Sequence, residues 1–238
     1  MNFSANKAIA VCAAWLVCWQ SLPADMHKLT VSGSSTVFKP ADKLSLTLGV
    51  MTFEKEVKNA ILGNSEKMAA VIKALSNAGL EETEMQTGNF TVNPKYTPAA
   101  LHPPADWQPS IAGYEVTNTV DIHTLKLDHL EGIIDAAGKS GANLIQSLSF
   151  SLQDDKLAKA EAIALAIQQA RSYAKAAARE AGLKLVGILE LSVNSPFLNA
   201  RTLNAERFAY AKEVSTPIIS GEVEISGSVS MVYSIQPE

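Results

Sequence analysis

The sequence predicts an α+β fold: duplicated strand–helix–strand units, with helices packed on a mainly antiparallel sheet, and one long central helix. Three observations lead to this prediction. Residues 154–182 carry apolar side chains at helical spacing over an unusually long stretch. Several shorter stretches alternate apolar and polar residues, as half-buried strands do. Three segments pass from the end of a predicted helix through a glycine into a strand, at Gly79, Gly141 and Gly182.

The long helix is the element around which the other predicted elements are arranged. Asp154 is suited to cap its N-terminus, and Gly182 is suited to end it. Its second half carries Arg171, Lys175 and Arg179, which the helix dipole favours there. One face is predicted to be apolar and mostly alanine, so that a sheet could approach it closely. The residues of that face are Leu157, Ala160, Ala164, Ile167, Ala174, Ala178 and Ala181.

The remaining elements follow from the same two periodicities. We expect helices at 57–78 and 127–139, and strands at 29–37, 44–50, 83–92, 111–123, 143–152, 185–193 and 218–235. Residues 93–110 are rich in proline and are expected to loop out of the domain. Residues 194–217 are expected to be irregular, with a short helix near 205–212.

Residues 1–24 have the pattern of a signal peptide, and residues 25–238 are expected to form one domain. Lys7 precedes an uncharged apolar run at 8–19 that is too short to span a bilayer. An uncleaved N-terminal anchor and lipoprotein processing are the alternatives. Both cysteines, Cys12 and Cys18, lie in this segment. A chain cleaved after it would therefore contain no disulfide, no thiol nucleophile and no Cys-ligated zinc.

Composition and loop chemistry point to self-association rather than to another class of partner. The formal net charge of -4 argues against nucleic acid, and no second apolar run reaches membrane-spanning length. Exposed aromatic side chains on long loops often mark contact surfaces. The alternative is that these side chains fold back onto their own domain. The candidate self-association residues on the two predicted loops are Tyr96, Trp107, Phe197, Phe208 and Tyr210.

No catalytic site, cofactor or metal site is predicted. The glycine–lysine–serine run at 138–140 lacks the spacing of a phosphate loop and closes a predicted helix instead of opening one. His123 and His129 flank a predicted turn beside Asp121 and Asp128. These four residues form either a weak metal cluster or a set of solvated turn residues, and the second interpretation is favoured.

Six segments of the sequence, taken in order, carry a resemblance to a known family. They are Val31-Ser32-Gly33, "LGVMTFEKEVKNAILGN", "MQTGNFTVNPKY", "GYEVTNTVDI", "GANLIQSLSFSLQDDKLAKAEAIALAIQQARSYAKAAAREAGLKLV" and "TPIISGEVEISGSVSMVYSI". Together they cover about residues 29–235 and resemble the SIMPL-domain family of bacterial periplasmic proteins. Where many relatives have a proline–aspartate pair after the first strand, this chain has Pro40-Ala41-Asp42, and the sequences of its two predicted loops are particular to this chain.

The resemblance implies an α+β fold, a periplasmic location, homo-oligomers and a link with envelope or oxidative stress tolerance. It carries over no catalytic residue. The favoured hypothesis is therefore a non-catalytic, self-assembling exported protein. The alternative is an exported hydrolase or small-molecule-binding protein whose site is built from dispersed polar residues.

Overall fold

The computed structural model describes residues 27–99, 104, 106–204 and 221–238. The predicted signal peptide and the predicted helix near 205–212 lie outside them. The α+β prediction is confirmed. The helices are α1 (Val57–Asn77), α2 (Leu130–Lys139) and α3 (Lys156–Glu180). The strands are β1 (Lys28–Pro40), β2 (Lys43–Glu54), β3 (Met85–Tyr96), β4 (Ile111–Thr124), β5 (Leu144–Ser151), β6 (Leu183–Asn199), β7 (Arg201–Asn204) and β8 (Glu222–Pro237).

Five strands form one antiparallel sheet in the order β3-β4-β2-β5-β7. Within it, β2-α1-β3 and β4-α2-β5 are two interleaved strand–helix–strand units, the split βαβ arrangement. Each helix is followed by a glycine with positive φ, 99° at Gly79 and 107° at Gly141. Glycine adopts this conformation without steric cost because it has no Cβ atom. This layer therefore contains the duplicated units that the glycines predict.

Helices α1 and α2 cover one face of the five-stranded sheet and enclose the larger core. Leu44, Leu46 and Leu48 of β2 point into it and are almost fully buried. Burying a leucine side chain contributes about 1.5–3 kcal/mol, so this face of β2 is a main source of stability. The sheet's other face carries polar side chains, among them Ser45 and Thr47.

The other three strands form a second antiparallel sheet, β1-β8-β6, and α3 packs on one of its faces. The buried residues of α3 are alanines four positions apart: Ala158, Ala162, Ala166, Ala170, Ala174 and Ala178. Four residues turn an α-helix by about 400°. The line of alanines therefore winds slowly around the helix, as a twisted sheet requires.

The predicted alanine-rich face of α3 is correct in composition but wrong in most of its positions. Leu157 is 84% exposed, and Ala160 and Ala164 are also exposed. The helix start is shifted too: Asp155 occupies the N-cap position without a capping hydrogen bond. Asp154 lies one residue earlier and accepts the Lys156 N–H at 3.0 Å. Leu157 thus lies beside the buried line of alanines, next to Ala158.

The two sheets meet at the short connection between β1 and β2. The Ala41 N–H donates to the carbonyl of Gly221, which precedes β8, at 3.2 Å. The next residue, Asp42, donates its N–H to Ser151 of β5 at 3.1 Å. The Ala41 side chain packs against both cores. This connection is therefore bonded to both sheets at once.

Two strands extend into stretches that the sequence predicts to be loops. β3 continues to Tyr96, and β6 continues to Asn199. Each contains a proline, Pro94 and Pro196 respectively, which suggested irregular structure. Both strands lie at the edge of a sheet, where proline is tolerated because one side of the strand needs no donor.

Candidate functional site

The apolar face of β6 is the most unusual surface in the described residues. Ile188, Leu191 and Val193 stand opposite Tyr233, Met231 and Val229 of β8. Directly opposed residues of an antiparallel pair share a face, and these three β8 side chains are buried beneath α3. The three β6 side chains lie on that same face, yet they are 46%, 46% and 44% exposed. We call Ile188, Leu191 and Val193 the β6 strip.

The strip is exposed because α3 packs mainly over β1 and β8, and β6 extends beyond it. Two more apolar side chains enlarge the surface, because Val186 and Leu189 occupy irregularities in the pairing with β8 and are also exposed. An exposed apolar edge strand is a template for pairing with another chain. Its exposed apolar side chains therefore have the chemistry that pairing with another chain would use.

Side chains of this chain hydrogen-bond to the backbone at single positions of two other strands. At β1, the side-chain oxygen of Gln169 accepts the Ser34 N–H at 2.7 Å. At β2, the amide of Asn143 bonds both the N–H and the carbonyl of Met51, at 2.7 and 2.8 Å, as a neighbouring strand would. Within the ranges that the structure describes, no side chain hydrogen-bonds to the backbone of β6. The described part of its edge is therefore free of side-chain hydrogen bonds, whereas the β1 edge has one at Ser34.

The structure separates the aromatic residues that the sequence predicts to be contact residues. Tyr96 ends β3 and is 56% exposed, whereas Phe197 lies on β6 and is 58% exposed. These two strands belong to different sheets. Trp107 is half-buried, and Phe208 and Tyr210 lie outside the described residues. Of the five, Phe197 lies on the same strand as the β6 strip.

The polar face of the five-stranded sheet brings one serine and one histidine together. The His123 Nδ1 lies 3.0 Å from the Ser45 hydroxyl oxygen on the neighbouring strand. Asp121 shares a face with His123, two residues away on β4, but its carboxylate accepts from the Thr47 hydroxyl at 2.7 Å. A serine nucleophile needs a base that a third group orients. The described contacts supply the serine–histidine pair without that third group.

His123 and His129 are not part of one cluster. His123 lies on the exposed face of β4, whereas His129 precedes α2 and its ring stands beside Gly79. Among the described residues, no group of three His, Cys, Asp or Glu side chains is placed to hold a metal ion. The four residues weighed as a metal cluster are therefore distributed between a sheet face and a helix start.

A charged cluster fastens the C-terminal end of α1 to β3 and β4. Lys126 donates to Glu84 at 3.0 Å, to Glu81 at 3.3 Å and to the Gly79 carbonyl at 3.0 Å. The hydrogen bond to Glu84 raises the pKa of Lys126. The Thr124 hydroxyl also donates to Glu84, at 2.6 Å. Because its members bond one another and the backbone, this cluster serves the fold.

Burial alone would raise the pKa of Glu84. Hydrogen bonds from the Glu81 N–H, the Thr124 hydroxyl and the Lys126 ammonium outweigh burial, and the pKa lies below its ordinary value. The carboxylate is thus held ionised.

Comparison with known proteins places the chain in a family. The model of the SIMPL family, described as "Protein of unknown function (DUF541)", matches residues 29–233. The "26 kDa periplasmic immunogenic protein" of Brucella melitensis biotype 1 is 28% identical over 216 residues, which cover 88% of this chain and 85% of the relative. The "Uncharacterized protein YggE" of Escherichia coli strain K12 is 25% identical over 221 residues, which cover 91% and 86%. No helix in the described ranges combines the length and apolar character needed to cross a membrane. The chain belongs to the SIMPL family.

Proposed function

We propose that this chain is a periplasmic, non-catalytic protein that assembles with itself through β6 and contributes to envelope or oxidative stress tolerance. The single observation that carries self-assembly is the β6 strip, an apolar surface on the open edge of a sheet. A periplasmic location is supported by the signal-peptide pattern of residues 1–24 and by the printed name of the Brucella relative. The stress role rests on the family resemblance.

The physical basis of assembly is the removal of this apolar surface from water. Burial contributes about 25 cal/mol for each Å² of apolar surface covered, and strand pairing would add hydrogen bonds between backbones. Edge strands that stay free in solution usually carry charges or bulges that discourage pairing. β6 has three irregularities in its pairing with β8 and carries Lys184 and Glu190, but it presents mostly apolar side chains between 185 and 193.

The test of assembly is the mass of the chain from residue 25 onward, measured by size-exclusion chromatography with light scattering. We expect an oligomer at micromolar concentration, and a monomer would contradict the proposal. Leu191→Lys should shift the oligomer toward monomer because it places a charge in the β6 strip. Leu62→Lys is the matched control, since Leu62 of α1 is similarly exposed, 51% against 46%.

The same pair of variants tests the cellular role. In a bacterial strain that lacks the gene, the unaltered chain and Leu62→Lys should restore survival in peroxide or detergent. Leu191→Lys should not, provided that it reaches the periplasm in equal amount. If Leu191→Lys restored survival, stress tolerance would not depend on assembly through the β6 strip.

A hydrolase is the second candidate, and the contact between Ser45 and His123 is the observation that favours it. Ester hydrolysis that is lost in both Ser45→Ala and His123→Ala would support it. Thr47→Ala, on the same strand face, is the control, because it removes a hydroxyl without touching the pair. Equal background rates in all proteins would leave assembly as the proposed function.

A further inference from the structure

The outer face of β6, opposite the β6 strip, carries two charges placed symmetrically about a glycine. Lys184, Gly187 and Glu190 stand opposite Gln236, Ser234 and Val232 of β8. Lys184 lies three residues before Gly187, and Glu190 lies three residues after it. Both side chains are exposed, and among the described residues neither forms an ion pair. This arrangement is complementary to itself when the strand is reversed.

We propose that the occupant of the β6 edge is β6 of a second copy, paired antiparallel across a two-fold axis at Gly187. This inference rests on the self-assembly proposed above and specifies its register. In such a pair, residues equidistant from the axis oppose each other. Lys184 then faces the partner's Glu190, and the reverse contact forms on the other side of the axis. Opposite charges in directly opposed positions stabilise a strand pair.

Apolar residues match in the same register. Leu183 and the partner's Leu191 oppose each other on the α3 side of the sheet. Val186 opposes the partner's Ile188, and Leu185 opposes the partner's Leu189. At the axis itself, a Cβ atom on Gly187 would meet nothing within 4 Å. The outer face of the sheet is therefore open at this point, and a side chain can be introduced there without a clash against this chain.

Other two-fold registers do not place Lys184 opposite the partner's Glu190. An axis at Glu190 would oppose two carboxylates, and an axis at Lys184 would oppose two ammonium groups, which destabilises a strand pair. An axis at Ile188 would leave Lys184 facing serine. A shift of the pairing by one residue would oppose charged and apolar side chains. The Gly187 register alone satisfies both charges, and it joins the two three-stranded sheets into one of six strands.

A charge exchange tests this register. Lys184→Glu and Glu190→Lys should each weaken dimerisation roughly tenfold in low salt, because two opposite-charge pairs become like-charge pairs. The double variant Lys184→Glu/Glu190→Lys should return to the affinity of the unaltered chain. Sedimentation velocity over a range of concentrations gives the dissociation constants. Lys28→Glu, at an exposed position of β1, changes the net charge by the same amount as Lys184→Glu and is the control for that variant.

A single cysteine provides a second measurement. Because both natural cysteines lie within residues 1–24, Gly187→Cys introduces the only thiol into a chain that begins at residue 25. It should form a disulfide-linked dimer under mild oxidation, since the two positions face each other at the axis. Gly132→Cys on α2 is the control, because a Cβ there also meets nothing within 4 Å. It should cross-link only at the rate of random collision.

The outcomes distinguish the two proposals. A monomeric unaltered chain would overturn self-assembly and this register together. If the chain is an oligomer whose dissociation constant is unchanged by the single charge reversals, the register is overturned but self-assembly is not. The same conclusion follows if Gly187→Cys forms no disulfide-linked dimer. Rescue by the double variant together with cross-linking at position 187 is the result that supports the register.

Discussion

Gly33 of β1 lies directly beneath the backbone of Ala166 in α3. A Cβ atom at position 33 would overlap the Ala166 carbonyl oxygen and would stand 2.7 Å from the Ala170 nitrogen. The approach is repeated on β8, where a Cβ on Gly227 would stand 3.0 Å from the backbone of Ala162. Glycines on the strands and alanines on the helix thus let the two backbones come closer than larger side chains would permit.

Gly33→Ala is therefore expected to destabilise the fold by about 2–3 kcal/mol or more, because backbone atoms of α3 must move to admit a methyl group. Urea unfolding followed by circular dichroism measures the change. Gly63→Ala is the control: it lies in α1 and has open space around its Cβ position. It should stabilise the fold by about 0.5–1 kcal/mol through helix propensity. A neutral Gly33→Ala would show that helix and sheet are less closely packed.

The sequence predicted the existence and composition of α3 better than the face that it buries. Its alanines occur at many spacings, and the apolar pattern places Leu157, a large side chain near its start, on the predicted buried face. Of the alanines that are buried, Ala162, Ala166 and Ala170 lie against Gly33 of β1 and Gly227 of β8. That information lies far from α3 in the sequence and becomes visible only in three dimensions.

The charged cluster around Glu84 predicts a dependence of stability on pH. The pKa of Glu84 is lower in the folded chain than its ordinary value of about 4.3. The unfolded chain therefore binds a proton first as the pH falls. The stability that the carboxylate contributes is complete above the unfolded pKa and is lost as the pH falls through the folded pKa. Acid unfolding should include this loss.

Glu84→Gln should remove that contribution. We expect a loss of about 1.5–3 kcal/mol at pH 7, the range for hydrogen bonds to charged groups, and a shallower fall of stability below about pH 5. Glu82→Gln, in the same short turn, is the control. Thermal unfolding between pH 3 and pH 7 compares the three proteins. Equal pH slopes for Glu84→Gln and the unaltered chain would contradict the assignment.

In alkaline solution the dependence of stability on pH has the opposite sign. The pKa of Lys126 is raised in the folded chain by its hydrogen bond to Glu84. Its contribution to stability is complete below the ordinary lysine pKa of about 10.4 and is lost as the pH rises through the raised value. Lys126→Met should therefore flatten the stability profile above about pH 10, which chemical unfolding at pH 9 and pH 11 would detect.

The β6 strip shows why the candidate site was only partly predictable. Residues 185–193 are mostly apolar and suggested a strand, which the structure confirms. A mostly apolar strand is usually buried on both faces, and nothing in the local pattern indicates that α3 stops short of it. The predicted contact residues lie on predicted loops, whereas the exposed apolar surface lies on a strand. Of the predicted aromatic residues, Phe197 shares that strand.

Asn64 is a fully buried polar side chain whose role depends on its two amide hydrogens. Its Nδ2 donates to the carbonyls of Val50 at 2.9 Å and Val116 at 3.0 Å, which ties α1 to β2 and β4. Its Oδ1 has no partner among the described residues. Asn64→Asp replaces the donor by a second oxygen that faces two carbonyls, in a site with no exposed surface.

We therefore expect Asn64→Asp to destabilise the fold at pH 7 by about 3 kcal/mol or more, since an uncompensated buried charge adds to the lost hydrogen bonds. The penalty should shrink toward pH 5, because protonation restores one donor and burial raises the pKa of a carboxyl. Asn77→Asp, at the exposed end of α1, is the control and should cost less than about 1 kcal/mol. Urea unfolding at pH 7 and pH 5 gives both values. A penalty that did not change with pH would mean that the introduced carboxyl reaches water, and that α1 can separate from β2 and β4 at this point.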